Sequence, residues 1–226
     1  MQLCCKIKPL ALNGINIAML KTLDLAFSYD DKRHFSFPNI TVNNGEHLLI
    51  LGRSGKGKTT LLHLLAGFLN QKRGSIEIND QNLEKLSGFK KDQFRAKHIG
   101  VVFQVPHFIS SLTVEQNILW AQKLAKIKPD HKKVHNHLKR LNLEHKAKAP
   151  VQKLSQGELQ RASIIRGIIN EPAVVLADEP TSALDDENCA QVIKLLEEQT
   201  YAVGAALVVV THDQRLKDFF TNSIAL

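Results

Sequence analysis

The chain has 226 residues, of which 43% are hydrophobic and 23% charged, and its formal net charge is +8. This balance is typical of a globular protein with one large domain or two small ones, and the positive charge favours an anionic ligand, an acidic partner or a membrane surface. The longest apolar runs, such as 205–210, are far shorter than the roughly 20 residues that cross a bilayer, which excludes a membrane-spanning helix. Cys4, Cys5 and Cys189 have no zinc-ligand or redox spacing, which excludes a disulfide framework and favours a reducing cytoplasm.

The first residues have the pattern neither of a folded element nor of a secretory signal. Residues 1–18 contain two lysines and a short apolar stretch broken by asparagine and glycine. We therefore interpret 1–20 as a leader outside the core and 21–226 as a single domain. Met1 and Met19 are both candidate starts of the native chain, because Met19 immediately precedes the first strand-like run.

The next part of the chain is predicted to form strands around a glycine-rich turn. Residues 23–52 form short apolar runs separated by polar turns, and "HLLIL" at 47–51 has the uninterrupted apolar pattern of a buried strand. The glycine-rich turn follows directly, and "TTLLHLLAGFL" at 59–69 then places apolar residues at helical spacing. Another short alternating strand follows at 74–80. The local order is therefore strand, turn, helix, strand.

The pattern becomes mostly helical between 85 and 165, and strands return after it. Within this stretch, 123–148 holds nine lysine and arginine residues against two acids, which is typical of a surface helical insert. The runs "AVVLADEP" at 173–180 and "ALVVVTHD" at 206–213 are predicted strands, with a helix near 187–200 between them. Apolar strands that alternate with helices predict an α/β fold with a mainly parallel sheet covered on both faces.

The glycine-rich turn matches a phosphate-binding loop. "GRSGKGKT" at 52–59 lies after a buried strand and opens a helix, which is the context that this pattern requires. Its backbone N–H groups and the helix N-terminus would bind phosphate oxygens, Lys58 would contact the β- and γ-phosphates, and Thr59 would hold Mg²⁺. The alternatives are a glycine turn without a ligand and, for Lys56, a solvated side chain. The predicted nucleotide-binding residues here are Gly52, Arg53, Ser54, Gly55, Lys56, Gly57, Lys58, Thr59 and Thr60.

Two acids and a histidine follow the later strands. Asp178 and Glu179 come at the carboxyl end of an apolar strand, the edge where a doubly wound sheet binds its ligand, and His212 follows the next buried strand. Because neighbouring strand residues point to opposite sides, Asp178 would hold Mg²⁺ while Glu179 would activate the attacking water. His212 would contact the γ-phosphate. The alternatives are solvated carboxylates and an ordinary surface or capping histidine.

The stretch "LSQGELQRA" at 154–162 has the pattern of a helix start. Ser155, followed three residues later by Glu158, predicts a capping box. A serine at an exposed helix N-terminus can also bind an anion. Taken alone, the stretch is explained by a capped helix without a ligand.

In combination with the other motifs, this stretch carries a family resemblance. The phosphate loop, "VVFQ", "LSQGE", "VVLADEP", "SALD" and His212 follow each other in an order that resembles the ATP-binding cassette (ABC) family over 21–226. The resemblance implies a P-loop nucleoside triphosphatase core with a mainly parallel sheet, an antiparallel β subdomain near the N-terminus, and an inserted α-helical subdomain at about 85–165 that includes the signature. It also implies ATP and Mg²⁺ as cofactors, and ATP hydrolysis with Glu179 and His212 as catalytic residues.

The resemblance also assigns the signature to the site of a second subunit. The family signature usually reads Leu-Ser-Gly-Gly-Gln, and this chain keeps Ser155 and Gly157 but has Gln156 and Glu158 at the other two positions. In the family the signature closes over the γ-phosphate of ATP on another copy, so that two chains pair head-to-tail around two ATP molecules. Gln156 adds bulk close to the nucleotide, and we expect it to affect the hydrolysis rate more than ATP-driven pairing.

The resemblance also implies functions for further residues. Tyr29 would stack on adenine, with Phe27 and Phe35 as alternatives for this contact. Gln104 would reach Mg²⁺ and relay contact with a transmembrane partner, and Asp185 would bridge the two subunits. The metal ligands that the resemblance implies are Thr59, Gln104 and Asp178.

The spacing and number of the motifs exclude some types of ABC protein. Only 94 residues separate Thr59 from Leu154, which leaves no room for the coiled coil of chromosome-maintenance relatives, and a single phosphate loop excludes tandem relatives. "LSQGELQRA" and "LADEPTSALD" are most similar to the branch that serves lipoprotein release, macrolide efflux and cell division. The resemblance therefore implies an ATPase subunit that drives an integral membrane permease or a periplasmic device from the inner face of the cell membrane. The segment that contacts the permease is expected at 105–118.

The basic segment at 123–148 suggests a different function, a soluble ABC ATPase that binds RNA or ribosomes. A solvated helical face explains the segment better, because it lacks interleaved aromatic residues for base stacking, and nucleic acid is not the expected partner. His131, His135, His137 and His145 would form a metal site in another interpretation. Since no carboxylate or cysteine is organised around them, surface histidines explain them better.

Overall fold

The computed structural model describes residues 17–30, 33–181 and 186–226. In these ranges the strands are β1 (Ala18–Ser28), β2 (His34–Ser36), β3 (Thr41–Asn43), β4 (His47–Leu51), β5 (Arg73–Ile78), β6 (Gln81–Asn82), β7 (Ile99–Val102), β8 (Val174–Asp178), β9 (Ala206–Thr211) and β10 (Asn222–Ala225). The α-helices are α1 (Lys58–Leu65), α2 (Gly88–His98), α3 (Val114–Leu124), α4 (His131–Arg140), α5 (Gln156–Ile168) and α6 (Asp186–Ala202). Most of the expected leader, 1–16, and the expected subunit bridge Asp185 lie outside the described residues.

A parallel sheet forms the centre of the fold, with strands in the order β10-β4-β9-β8-β7. As their uninterrupted apolar sequences predict, all residues of β8 and β9 are buried. In the register, Leu51 of β4 pairs with Thr211 of β9, and Asp178 of β8 pairs with Val210 of β9. The carboxyl ends of these three strands therefore lie side by side at one edge of the sheet.

The second sheet is antiparallel, in the order β2-β1-β5-β6, with β3 also paired with β1. The sequence places the start of the domain at residue 21, but β1 begins at Ala18, and Leu20 is fully buried. Residues 18–20 therefore belong to the antiparallel sheet and not to the leader. The sequence boundary is late because only the runs from 23 onward have a clear strand pattern.

The helical part is smaller than the sequence predicts. The expected insert at 85–165 contains Ile99–Val102, which forms β7 and pairs with β8 in the parallel sheet. Periodicity cannot distinguish a strand from a helix in an apolar run of this length, which explains the error. The helical subdomain is formed by α3, α4 and α5, which pack around a separate apolar cluster that includes Ile118, Leu138 and Ile165.

Two other apolar clusters cover the two faces of the parallel sheet. Ile50 and Val208 face α1 and the antiparallel sheet, whereas Leu49 and Val209 face α5 and α6. This arrangement confirms the α/β fold with a sheet covered on both faces. Within the described ranges, no helix is both long enough and apolar enough to span a bilayer.

Gly100 of β7 allows α5 to approach the sheet closely. A Cβ on Gly100 would lie 2.3 Å from the backbone oxygen of Gly167 in α5. Because a side-chain rotation cannot relieve a backbone clash, we expect Gly100→Ala to lower the free energy of unfolding by about 3 kcal/mol, measured by urea denaturation. Gly88→Ala is the control, since Gly88 is exposed at the start of α2 and has open space around it. A similar loss in both variants would contradict the prediction.

Candidate functional site

The phosphate loop at 52–59 connects β4 to α1 at the edge where the parallel strands end. Gly55 and Gly57 have φ angles of 82° and 89°, a left-handed backbone that glycine adopts readily. Gly57 is the N-cap of α1 and provides no side chain to cap it, so the first N–H groups of the helix are left to bind another acceptor. A Cβ on Gly57 would lie 2.6 Å from the ring of Phe35, so glycine is also required for space. The loop therefore has the local structure of an anion site.

Lys58 is buried at the start of α1, with 8% of its surface exposed. Its Nζ donates hydrogen bonds to the backbone oxygens of Gly52 at 2.8 Å and Arg53 at 3.3 Å. The same atom lies 3.6 Å from Oε1 of Glu179. The ammonium group is therefore held between the loop and the acid that the sequence predicts to activate water.

Glu179 is held by the end of the neighbouring strand β9. Its Oε2 accepts hydrogen bonds from Oγ1 of Thr211 at 2.7 Å and from the backbone N–H of His212 at 3.3 Å. Nδ1 of His212 lies 3.0 Å from each carboxylate oxygen. Burial opposes ionisation, but the hydrogen bonds from His212 and Thr211 outweigh it and lower the pKa of Glu179. The carboxylate is therefore ionised at neutral pH and able to accept a proton.

The backbone turns sharply at Glu179. β8 ends at Asp178, and Glu179 has a φ angle of 45°, in the left-handed region that costs a residue other than glycine about 1–2 kcal/mol. The sequence prediction that strand alternation separates the two acids is therefore wrong, because Glu179 lies beyond the strand. Backbone strain of this kind is common at functional sites.

Asp178 is almost completely buried, with 8% of its surface exposed. Burial and then the Glu179 carboxylate raise the pKa of Asp178, and the opposing effects of His63, Thr59 and Lys58 are smaller. Among the residues that the structure describes, none provides a hydrogen-bond partner for Oδ1 of Asp178. A buried oxygen of this kind requires an explanation, and a ligand that contacts it would satisfy it.

Tyr29 and Phe35 form an aromatic wall beside the phosphate loop. Tyr29 is 56% exposed, and its hydroxyl lies 3.1 Å from Oγ1 of Thr60. The Tyr29 ring packs edge-on against Phe27 and Phe35, with centroid distances of 4.8 Å and 6.3 Å. Phe27 is buried in the core, so that only Tyr29 and Phe35 of the three aromatic candidates line the cavity.

A cavity of about 1380 Å³ brings most of the predicted nucleotide residues together. The predicted residues that line it are Tyr29, Gly52, Arg53, Ser54, Gly55, Gly57, Lys58, Thr59, Thr60, Gln104, Glu179 and His212. Lys56 is exposed outside this lining, as expected for a solvated lysine. Arg33, His34 and Lys217 also line the cavity, and no motif marks these basic residues in the sequence. The sequence motifs do not predict Thr211 as a site residue either, although a hydroxyl at the end of an apolar strand is a recognisable signal.

The signature residues lie outside this cavity. Ser155 is the N-cap of α5: its Oγ accepts a hydrogen bond from the N–H of Glu158 at 3.3 Å, and Oε2 of Glu158 accepts one from the N–H of Ser155 at 2.7 Å. This pair confirms the predicted capping box. Ser155, Gln156 and Gly157 are exposed. The structure therefore does not bring the signature and the phosphate loop of one chain together.

The structure places the histidines of the basic segment in different environments. In the described ranges, no group of three or more histidine, cysteine or acidic residues is placed to hold a metal. His131 and His145 are exposed and lie beside acids, at 2.8 Å from Glu115 and 3.8 Å from Glu158. The prediction of surface histidines is wrong for His137, which is buried on the apolar face of α4. The pKa of His137 is lowered, mainly by burial.

Comparisons with known proteins identify relatives over most of the chain. Residues 36–182, more than half of the chain, match the family model described as ABC transporter. The ABC transporter ATP-binding protein YtrE of Bacillus subtilis is 38% identical over 180 residues, which cover 79% of this chain and 78% of YtrE. The lipoprotein-releasing system ATP-binding protein LolD of Legionella pneumophila is 35% identical, with 80% of each chain covered. LolD of Buchnera aphidicola is 34% identical, with 89% of this chain and 91% of LolD covered.

Solved structures have the same fold. CbiO1 from Clostridium perfringens, part of the ABC transporter complex cbiONQ, is 31% identical with a TM-score of 0.82, and the match covers 92% of this chain and 84% of that chain. The cassette MJ0796, a dimer bound to ADP and Pi in a post-hydrolysis state, is 28% identical with a TM-score of 0.81, and 92% and 94% of the two chains are covered. These matches confirm the predicted fold. The family match and the sequence relatives show that the chain belongs to the ABC transporter family, as an ATP-binding and ATP-hydrolysing subunit.

Proposed function

We propose that two copies of this chain pair head-to-tail around two ATP molecules and drive a separate membrane permease or periplasmic device. One observation carries the proposal: the phosphate loop, Glu179 and His212 line one cavity, while Ser155 and Gly157 are exposed outside it. A second copy would place its signature over the ATP of the first. The dimeric MJ0796 cassette with ADP and Pi supports this arrangement. Asp185 is the proposed bridge between the two copies.

The contacts of the site suggest how hydrolysis proceeds. Lys58 and the N–H groups of the loop are proposed to bind the β- and γ-phosphates, and Tyr29 or Phe35 to stack on adenine. Lys58 lies 3.6 Å from Glu179 in this structure, so a phosphate that draws Lys58 away leaves the ionised carboxylate to orient a water molecule and accept its proton. His212 is proposed to contact the γ-phosphate, and its 3.0 Å contact with Glu179 would link the position of the phosphate to that of the base.

The oxygen atoms beside the cavity fit Mg²⁺, which prefers oxygen ligands. Thr59 and Gln104 line the cavity, and Asp178, at the carboxyl end of β8, has an Oδ1 atom without a partner among the described residues. We propose that these three side chains hold the ion. When bound, Mg²⁺ would neutralise negative charge on the phosphates.

Asp178→Asn is expected to remove most of the effect of Mg²⁺ on nucleotide binding, because asparagine keeps the shape of the side chain but removes its charge. Calorimetry with Mg²⁺ or with EDTA should show that Mg²⁺ strengthens ATP binding by at least about tenfold in the unaltered chain and by less than about threefold in the variant. Asp80→Asn, at an exposed turn of the antiparallel sheet, is the control. An unchanged Mg²⁺ effect in Asp178→Asn would contradict the proposed metal site.

The proposed partner is an integral membrane permease. The segment at 105–118 follows Gln104 and exposes Val105 and Ile109 at 61% and 42%, an apolar surface of the kind that accepts a helix from another subunit. CbiO1 is described as part of a transporter complex and LolD as part of a lipoprotein-releasing system. We therefore propose that this chain lies at the inner face of the cell membrane and belongs to the branch that serves lipoprotein release, macrolide efflux and cell division.

Affinity capture of the tagged full chain tests this proposal. The capture is made separately from detergent-solubilised membranes and from cytosol, and the proteins and RNA recovered are identified. Recovery of an integral membrane protein in stoichiometric amount supports the transporter function and identifies the permease. Recovery of ribosomes or RNA without a membrane protein would contradict it and favour a nucleic-acid function for the basic segment at 123–148.

A further inference from the structure

Glu158 brings a negative charge to the helix start that is proposed to bind the γ-phosphate. It lies in the first turn of α5, three residues after Ser155. A carboxylate so close to the site repels a phosphate. The glutamine that is usual in the family signature has no such charge. A neighbouring cation would offset this repulsion.

The two carboxylate oxygens of Glu158 have different partners. Oε2 accepts the hydrogen bond from the N–H of Ser155 at 2.7 Å, whereas Oε1 lies 3.6 Å from Nζ of Lys146 and 3.8 Å from Nε2 of His145. The hydrogen bond from Ser155 is the main cause of a lowered pKa of Glu158, and the charge of Lys146 adds to it. The side chains of Glu158 and Lys146 are 15% and 28% exposed, whereas His145 is 61% exposed. Lys146 is therefore the less solvated of the two basic neighbours.

The backbone around Lys146 is anchored to the helical subdomain. The N–H of Lys146 donates to the oxygen of Leu143 at 3.0 Å. On its C-terminal side, the oxygen of Ala147 accepts a hydrogen bond from the N–H of Glu115 at 2.9 Å, at the start of α3. These bonds fix the position of the lysine relative to α5, which packs against α3 in the same apolar cluster.

We propose that Lys146 is a positioning residue for ATP-dependent pairing, which compensates the charge of Glu158 so that the N-terminus of α5 can bind the γ-phosphate of ATP on the other copy. This inference rests on the proposed head-to-tail pairing. The lysine does not contact the nucleotide; it acts through Glu158. Its loss leaves a repulsive carboxylate beside the phosphate, and removal of that carboxylate makes the lysine unnecessary.

A rescue experiment tests this relation in full-length chains that carry Glu179→Gln, so that hydrolysis does not obscure pairing. Analytical ultracentrifugation over a range of protein concentrations in saturating Mg-ATP gives the dissociation constant of the dimer. Lys146→Ala should raise this constant by about tenfold, because a partly exposed ion pair contributes about threefold at each of two equivalent sites. Lys146→Ala combined with Glu158→Gln should return it to within about twofold of the parent, since glutamine retains the capping box.

Lys148→Ala is the matched control, because Lys148 is an exposed lysine two residues further along. An equal loss in Lys148→Ala would show a general charge effect and overturn the inference. A loss in Lys146→Ala that Glu158→Gln does not rescue would also overturn it, since a structural role of Lys146 predicts that result. A Glu179→Gln parent that stays monomeric would contradict the head-to-tail pairing itself, and this inference would fall with it.

Discussion

Glu179→Gln should lower the rate of ATP hydrolysis by at least about a hundredfold while ATP still binds. Glutamine has the shape of glutamate and still accepts the hydrogen bond from Thr211, so that the left-handed turn and the cavity are kept. Its amide cannot accept the proton of the attacking water. Because hydrolysis is expected to separate the proposed ATP dimer, the variant should accumulate as a dimer in Mg-ATP.

Phosphate release measures the loss of hydrolysis, and light scattering after size exclusion measures the dimer. Glu198→Gln is the control, because Glu198 has a 45% exposed side chain on α6 and its replacement should leave both measurements unchanged. Hydrolysis by Glu179→Gln within about tenfold of the unaltered chain would show that another group accepts the proton.

Lys58→Ala should weaken ATP binding by at least about a hundredfold, because it removes two charge-assisted contacts with phosphate that contribute about 1.5 kcal/mol or more each. Lys58 is already buried beside the loop and bonded to Gly52. Its side chain therefore loses little conformational freedom when the ammonium group moves from Gly52 to a phosphate. Equilibrium binding of ATP, measured by calorimetry, gives the change in dissociation constant. Thermal unfolding of the variant shows whether the fold is kept.

Lys56→Ala is the matched control for Lys58→Ala. Both lysines belong to the same loop, but Lys56 is exposed outside the cavity and should affect ATP affinity by no more than about threefold. A comparable loss in the two variants would mean that the general positive charge of the loop binds the nucleotide, without a specific contact from Lys58.

Features that depend on neighbouring residues in the chain were predictable from the sequence. The phosphate-loop pattern needs glycines, a lysine and a hydroxyl at fixed spacing between a strand and a helix, and β4 and α1 flank the turn as this pattern predicts. The capping box of Ser155 and Glu158 is equally local and is present. The apolar runs of β8 and β9 predict a buried parallel sheet. The register of β8 and β9 in that sheet then brings Glu179 close to His212.

Features that depend on tertiary packing were not predictable. β7 is a strand because it completes the sheet beside β8, although its four apolar residues would suit a helix equally. The left-handed backbone of Glu179 is stabilised by bonds from β9, which periodicity does not reveal. Arg33 and Lys217 enter the cavity from segments that are distant in sequence. His137 is buried because α4 packs that face on the subdomain core.

Phe35 packs directly on the glycine-rich turn. Its ring allows no Cβ at Gly57, stacks on Phe37 with a centroid distance of 6.1 Å, and packs edge-on against Tyr29. The turn that is proposed to bind phosphate and the rings that are proposed to contact the base are therefore in contact. A larger residue at position 57 would displace Phe35, and so it would disturb the base contact as well as the phosphate contact.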